Sequence, residues 1–148
     1  MKKRIMFLCH GNICRSPMAE YVMKDLVRKA GREDEFEITS GAVSDEEWGN
    51  PIYPPARRKL SEKGVSFGHH SAHKISQAEF DRQDLVIVMD RSNLRWLDRI
   101  VHDREGKVHM MMEYAGEARD VADPWYTGDF EQTYQDVLAG CKGLLEIM

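Results

Sequence analysis

Apolar positions along the chain follow two alternating rhythms. "RIMFLC" (4–9) is a short continuous apolar run bounded by Gly11, which reads as a buried strand. A helix is predicted directly after it. Ser16 can cap it, Pro17 suits its first position, Val22, Leu26 and Ala30 recur at helical spacing, and Gly31 ends it. "EFEITSGAV" (35–43) alternates polar with apolar and predicts a second strand, and "PPARRKLSEKG" (54–64) runs from Pro to Gly as a helix does. A short helix capped by Ser76 is expected over 76–83, a fully buried strand over "DLVIVMD" (84–90), a helix over 92–100 and a fourth strand over "KVHMMMEY" (107–114). The last segment is the most periodic: Phe130, Tyr134, Val137, Leu138, Cys141, Leu144, Leu145 and Met148 share one helical face. Strands alternating with helices predict an α/β domain spanning 1–148, with a mostly parallel sheet covered on both faces. Ligands of such folds sit beyond the carboxyl ends of the strands.

Composition narrows the function classes. The chain of 148 residues is 42% hydrophobic and 31% charged, enough for one core without staples. The start "MKKRIMFLCHGN" raises an export signal, but its apolar stretch is only "IMFL", too short for one, and no run approaches the roughly 18 residues of a membrane span. Cysteines at 9, 14 and 141 are an odd count without disulfide-framework spacing, so a reducing cytoplasm is the expected home. A net charge of −4 with no basic stripe argues against nucleic acid as a partner.

The stretch "CHGNICRSP" (9–17) carries the chemistry. Between a strand and a helix start, consecutive backbone N–H groups converge on a concavity for an oxyanion, and the helix dipole adds positive potential. Gly11 allows unusual backbone angles and Asn12 tolerates them. Arg15 supplies a planar fork matched to two phosphate oxygens. Cys9 begins the loop, where that potential favours a thiolate lying beneath a bound phosphate, and Ser16 is placed to hydrogen-bond the sulfur. His10, Gly11, Asn12, Ile13, Cys14 and Ser16 are thus the expected phosphate-binding residues around Cys9 and Arg15. A phosphate ester also needs its leaving oxygen protonated. "ADPWYTGDF" offers Asp123, with Asp120 three residues earlier as a competitor that these residues alone do not separate.

At this point the chain resembles the low-molecular-weight protein tyrosine phosphatases. "CHGNICRSP" is similar to their Cys-x5-Arg-Ser phosphate loop, and "TSGAVS", "GNP", "VMDRSNL" and "ADPWY" follow in the family's order over nearly the whole chain. The resemblance implies a four-stranded parallel sheet flanked by helices, with the phosphate loop after strand 1. It also implies a metal-free, cofactor-free phosphatase acting through a phosphocysteine, with Asp123 as general acid. Further implications are Ser40 and His70 as braces of the loop through Asn12, and a protective disulfide between Cys14 and Cys9. Substrates would be phosphotyrosine proteins, including a tyrosine kinase of the same cell, with inorganic phosphate or vanadate as inhibitor.

Trp48, Trp125 and Tyr126 fall in loops rather than on periodic faces and predict a wall for a flat aromatic substrate. Position matching adds Glu46 and Glu47 to that wall. His10 stands where the family commonly has Leu, Val or Thr, a departure that bears on substrate preference. His69, His70 and His73 could alternatively form a metal cluster, but no carboxylate or cysteine lies at ligand spacing in the sequence. Two rival functions remain. An arsenate reductase of the same fold needs two further mid-chain cysteines, which are missing between Cys14 and Cys141. A silent phosphotyrosine-binding module would need neither Cys9 nor Asp123.

Overall fold

The computed structural model describes residues 2–148. Four strands, β1 (Lys3–Cys9), β2 (Phe36–Ala42), β3 (Leu85–Val88) and β4 (Val108–Met110), form one all-parallel sheet in the order β2-β1-β3-β4. Central β1 has Ile5, Met6, Phe7 and Leu8 fully buried. Each such side chain contributes about 1.5–3 kcal/mol on burial. The pleat sends Ile5, Phe7 and Cys9 to one face and Met6 and Leu8 to the other. Helices α1 (Arg15–Lys29), α2 (Pro54–Glu62) and α6 (Phe130–Ile147) cover the first face. Helices α3 (Gln77–Asp81) and α4 (Arg91–Ile100) cover the second. A single helical turn, α5 (Pro124–Thr127), precedes α6. The predicted α/β architecture, with helices on both faces of a four-stranded parallel sheet, is therefore the observed one.

Several boundaries differ from the sequence reading, each for a local reason. The fourth strand stops at Met110 instead of reaching 114, because Met111–Ala115 form a 3-10 turn. The Glu113 carboxylate accepts the Met110 N–H, and Gly116 closes the turn with φ of 77°. Met111 and Met112 are thereby turned into the core beneath α6. Helix α1 begins at Arg15, and Ser16 does not cap it. The Ser16 hydroxyl is engaged by the Cys9 sulfur instead. Helix α4 begins one residue earlier than expected. Its N-cap is Asp90, which accepts the Asn93 N–H while the Asn93 side chain reaches back to the Asp90 N–H.

Candidate active site

The loop from Cys9 to Arg15 leaves the carboxyl end of β1 and enters α1. Asn12 sits in it with φ of 62°, the only non-glycine residue with positive φ among the described residues. Side-chain and backbone bonds hold Asn12 there. Its Nδ2 donates to Ser16 Oγ at 2.8 Å and Ser40 Oγ at 3.0 Å, and its Oδ1 accepts the His73 N–H at 3.4 Å. Its carbonyl lies 2.7 Å from His70 Nε2. Ser40 in turn donates to Glu20 Oε1 at 2.6 Å. The loop's other rim is tied down by Ser44, whose N–H and hydroxyl both donate to the His10 carbonyl, and by the Tyr53 N–H, which donates to the Ile13 carbonyl.

Around the buried Cys9 sulfur, the N–H groups of Asn12 and Ser16 approach at 3.3 and 3.4 Å, and Ser16 Oγ lies at 3.0 Å. Two N–H groups aimed at one sulfur, with a hydroxyl beside them, suit a thiolate. Among the described residues the N–H groups of Gly11, Ile13, Cys14 and Arg15 have no acceptor. Unpaired amides in such a place call for a ligand, and this set forms a cradle for an oxyanion above the sulfur.

Arg15 is 2% exposed. Its Nη1 donates to Asp90 Oδ2 at 2.6 Å and to the Val121 carbonyl at 2.8 Å, while Nη2 stands 3.4 Å from Asp123 Oδ2. Burial works against the guanidinium charge, but the nearby Cys9, Asp123 and Asp90 outweigh it and raise its pKa. Asp90 was not singled out in the sequence. Its signal is its place as the last residue of the expected strand 84–90 and three residues before Asn93, a pattern that marks a capping aspartate and that here also anchors the arginine.

Asp123 caps α5 by accepting the Trp125 N–H at 3.0 Å. It lines a pocket of about 210 Å³ together with Cys9, Cys14, Arg15, Glu46, Glu47, Trp125 and Tyr126. His10, Gly11 and Ile13 complete the lining. Asp120 is not a lining residue, and its Oδ1 accepts the Arg91 N–H at 3.2 Å. Trp125 packs on Tyr53 with ring centroids 4.8 Å apart, and Tyr126 projects into solvent. Trp48, 64% exposed, lies outside the lining, so this side of the wall is carried by Glu46 and Glu47. Cys14 differs from Cys9 in character. Burial first, then the neighbouring Cys9 and Asp123, push its thiol well above the ordinary range, so it stays protonated. In the 69–73 segment the His70 ring meets the loop, while the His73 ring pairs with Glu79 at 2.9 Å and only its backbone N–H reaches Asn12. No group of three or more potential metal ligands occurs among the described residues.

The family model for low molecular weight phosphotyrosine protein phosphatase matches residues 4–148. The chain belongs to that family. Bacillus subtilis YfkJ, a low molecular weight protein-tyrosine-phosphatase, is 34% identical over 144 residues, 95% of this chain and 92% of that protein. The rat low molecular weight phosphotyrosine protein phosphatase is 36% identical, covering 97% of this chain and 94% of its own length. The crystal structure of YfkJ superposes with a TM-score of 0.95 at 33% identity, over 99% of this chain and 94% of that one. The family is one of phosphatases, hence hydrolases.

Proposed function

We propose that this low molecular weight phosphatase hydrolyses phosphotyrosine in proteins through a phosphocysteine on Cys9. The observation that carries this is the convergence of two backbone N–H groups and the Ser16 hydroxyl on the Cys9 sulfur, beside four unpartnered loop amides. A phosphate seated in that cradle places phosphorus over the sulfur. Cys9 Sγ forms a bond to phosphorus as the bond to the phenolic oxygen breaks, and protonated Asp123 donates its proton to that oxygen. In the second step, Asp123 as carboxylate takes a proton from water, whose oxygen attacks phosphorus. Cys9 leaves as a thiolate, stabilised by Ser16 and the two amides. Arg15, held from behind by Asp90 and Val121, presents Nη2 to the equatorial oxygens throughout. Aromatic surfaces at Trp125 and Tyr126 bound the space for the phenyl ring.

Hydrolysis of para-nitrophenyl phosphate and a phosphotyrosine peptide in the presence of chelator, beside an arsenate-reduction assay, tests the reading. Vanadate-sensitive release of phosphate without arsenate reduction is expected. Binding of phosphotyrosine without turnover would instead establish a silent module. A tyrosine-phosphorylated kinase of the same cell is a candidate substrate, checked by its dephosphorylation in vitro. The cytoplasm suits three unpaired thiols, and cell fractionation checks that location.

Cys14 shares the pocket with Cys9 and serves, in this reading, as its partner after oxidation. Peroxide converts Cys9 to a sulfenic acid; the Cys14 sulfur then bonds to Cys9 Sγ as its S–H bond breaks, and that proton leaves with the displaced hydroxyl as water. Dithiothreitol should then restore activity more completely in the parent protein than in Cys14→Ser. Equal recovery would remove this role.

A further inference from the structure

The phosphate loop carries a side chain that the proposed reaction does not use. His10 Nε2 lies 2.7 Å from Glu46 Oε2, and its ring meets Trp96 of α4 edge-on at 5.1 Å between centroids. A ring nitrogen bonded to a carboxylate must carry a proton, so His10 donates and one Glu46 oxygen is occupied. Glu47, next along the wall, accepts from the Asn50 amide at 2.6 Å and has no cationic partner among the described residues. It presses close on the loop: a Cβ added at Gly11 would meet Glu47 Cγ at 3.1 Å. Apart from His10, the only basic residue lining the pocket among the described residues is Arg15, already faced by Asp90 and Asp123. The mouth is therefore acidic on the side of residues 46 and 47, even though the pocket takes an anion at its floor.

We infer that Glu47 and Glu46 form a subsite for a lysine or arginine flanking the phosphotyrosine, and that His10 sets its strength by engaging Glu46. This rests on the phosphatase reading above. With phosphate in the loop and the phenyl ring between the Trp125–Tyr126 side and the acidic wall, neighbouring peptide side chains emerge beside these carboxylates. A cationic neighbour is attracted, and an acidic neighbour is repelled, so the wall discriminates in both directions.

The test uses two phosphotyrosine peptides that differ only in a lysine or a glutamate beside the phosphotyrosine, with para-nitrophenyl phosphate normalising each variant for damage to the site. The wild type should favour the lysine peptide in kcat/KM by about two- to fivefold, the range of an exposed charge pair. Added salt should erode the preference. Glu47→Gln should bring the ratio towards one. His10→Leu frees Glu46 and should increase the ratio, and adding Glu46→Gln to His10→Leu should abolish that increase. Equal use of the two peptides by the wild type, or an unaltered ratio in Glu47→Gln or in His10→Leu, would overturn the subsite while leaving the reaction standing. Failure to turn over both peptides and para-nitrophenyl phosphate would overturn the reaction and the subsite together.

Discussion

At the scale of single residues, the site depends on which polar atom is free and which is already engaged. Ser16 could have capped α1, yet its hydroxyl serves the Cys9 sulfur, and Asn12 spends its whole side chain holding the loop. The same distinction separates the two aspartates. Asp120 is engaged by the Arg91 N–H away from the pocket, whereas Asp123 lines it. If Asp123 is the general acid, its value grows with the basicity of the leaving group. Asp123→Asn should slow phosphotyrosine cleavage by about 10² to 10⁴ and aryl phosphates with acidic phenols much less. Asp120→Asn should leave this dependence as in the parent. A steep leaving-group dependence in Asp120→Asn and none in Asp123→Asn would assign the acid to the other aspartate.

At the scale of elements, the segments between loop and helix matter more than the elements themselves. The strands β1 and β3 and the helices α1 and α6 were legible because burial leaves them strongly patterned. The end of the fourth strand was not, since "HMMMEY" is equally apolar as strand or as packed turn, and the Glu113 and Gly116 contacts decide it. The 70–76 segment links the site to α3: the His73 N–H binds Asn12, and its ring pairs with Glu79 of α3. That hydrogen bond, against the opposing effect of burial, raises the His73 pKa above its ordinary 6.5. A raised folded pKa means stability that is fully present below the unfolded value and is lost as pH rises through the folded one. Urea midpoints of the parent should therefore exceed those of Glu79→Gln most below pH 6.5, with the gap narrowing as pH rises above it. A gap that is flat or widens as pH rises would show that the pair is not linked to protonation of His73.

At the scale of the whole molecule, the parallel sheet brings groups distant in sequence to one end of β1. Cys9 and Arg15 lie in one legible motif, but Asp90 and Asp123 reach Arg15 across 75 and 108 residues. No local pattern announces that meeting. The sequence offers both Asp123 and Asp120, the family resemblance selects Asp123, and the meeting of Asp90 with Arg15 follows from β3 lying beside β1. Together these groups are proposed to pass phosphate from tyrosine to Cys9 and then to water. Rapid acid quenching of a phosphotyrosine reaction, followed by mass spectrometry of the peptide containing residue 9, tests this transfer directly. A phosphate on Cys9 is expected during turnover, and neither phosphopeptide nor turnover in Cys9→Ser. Turnover persisting in Cys9→Ser above about a tenth of the parent rate, a difference of only ~1.4 kcal/mol in barrier, would contradict it.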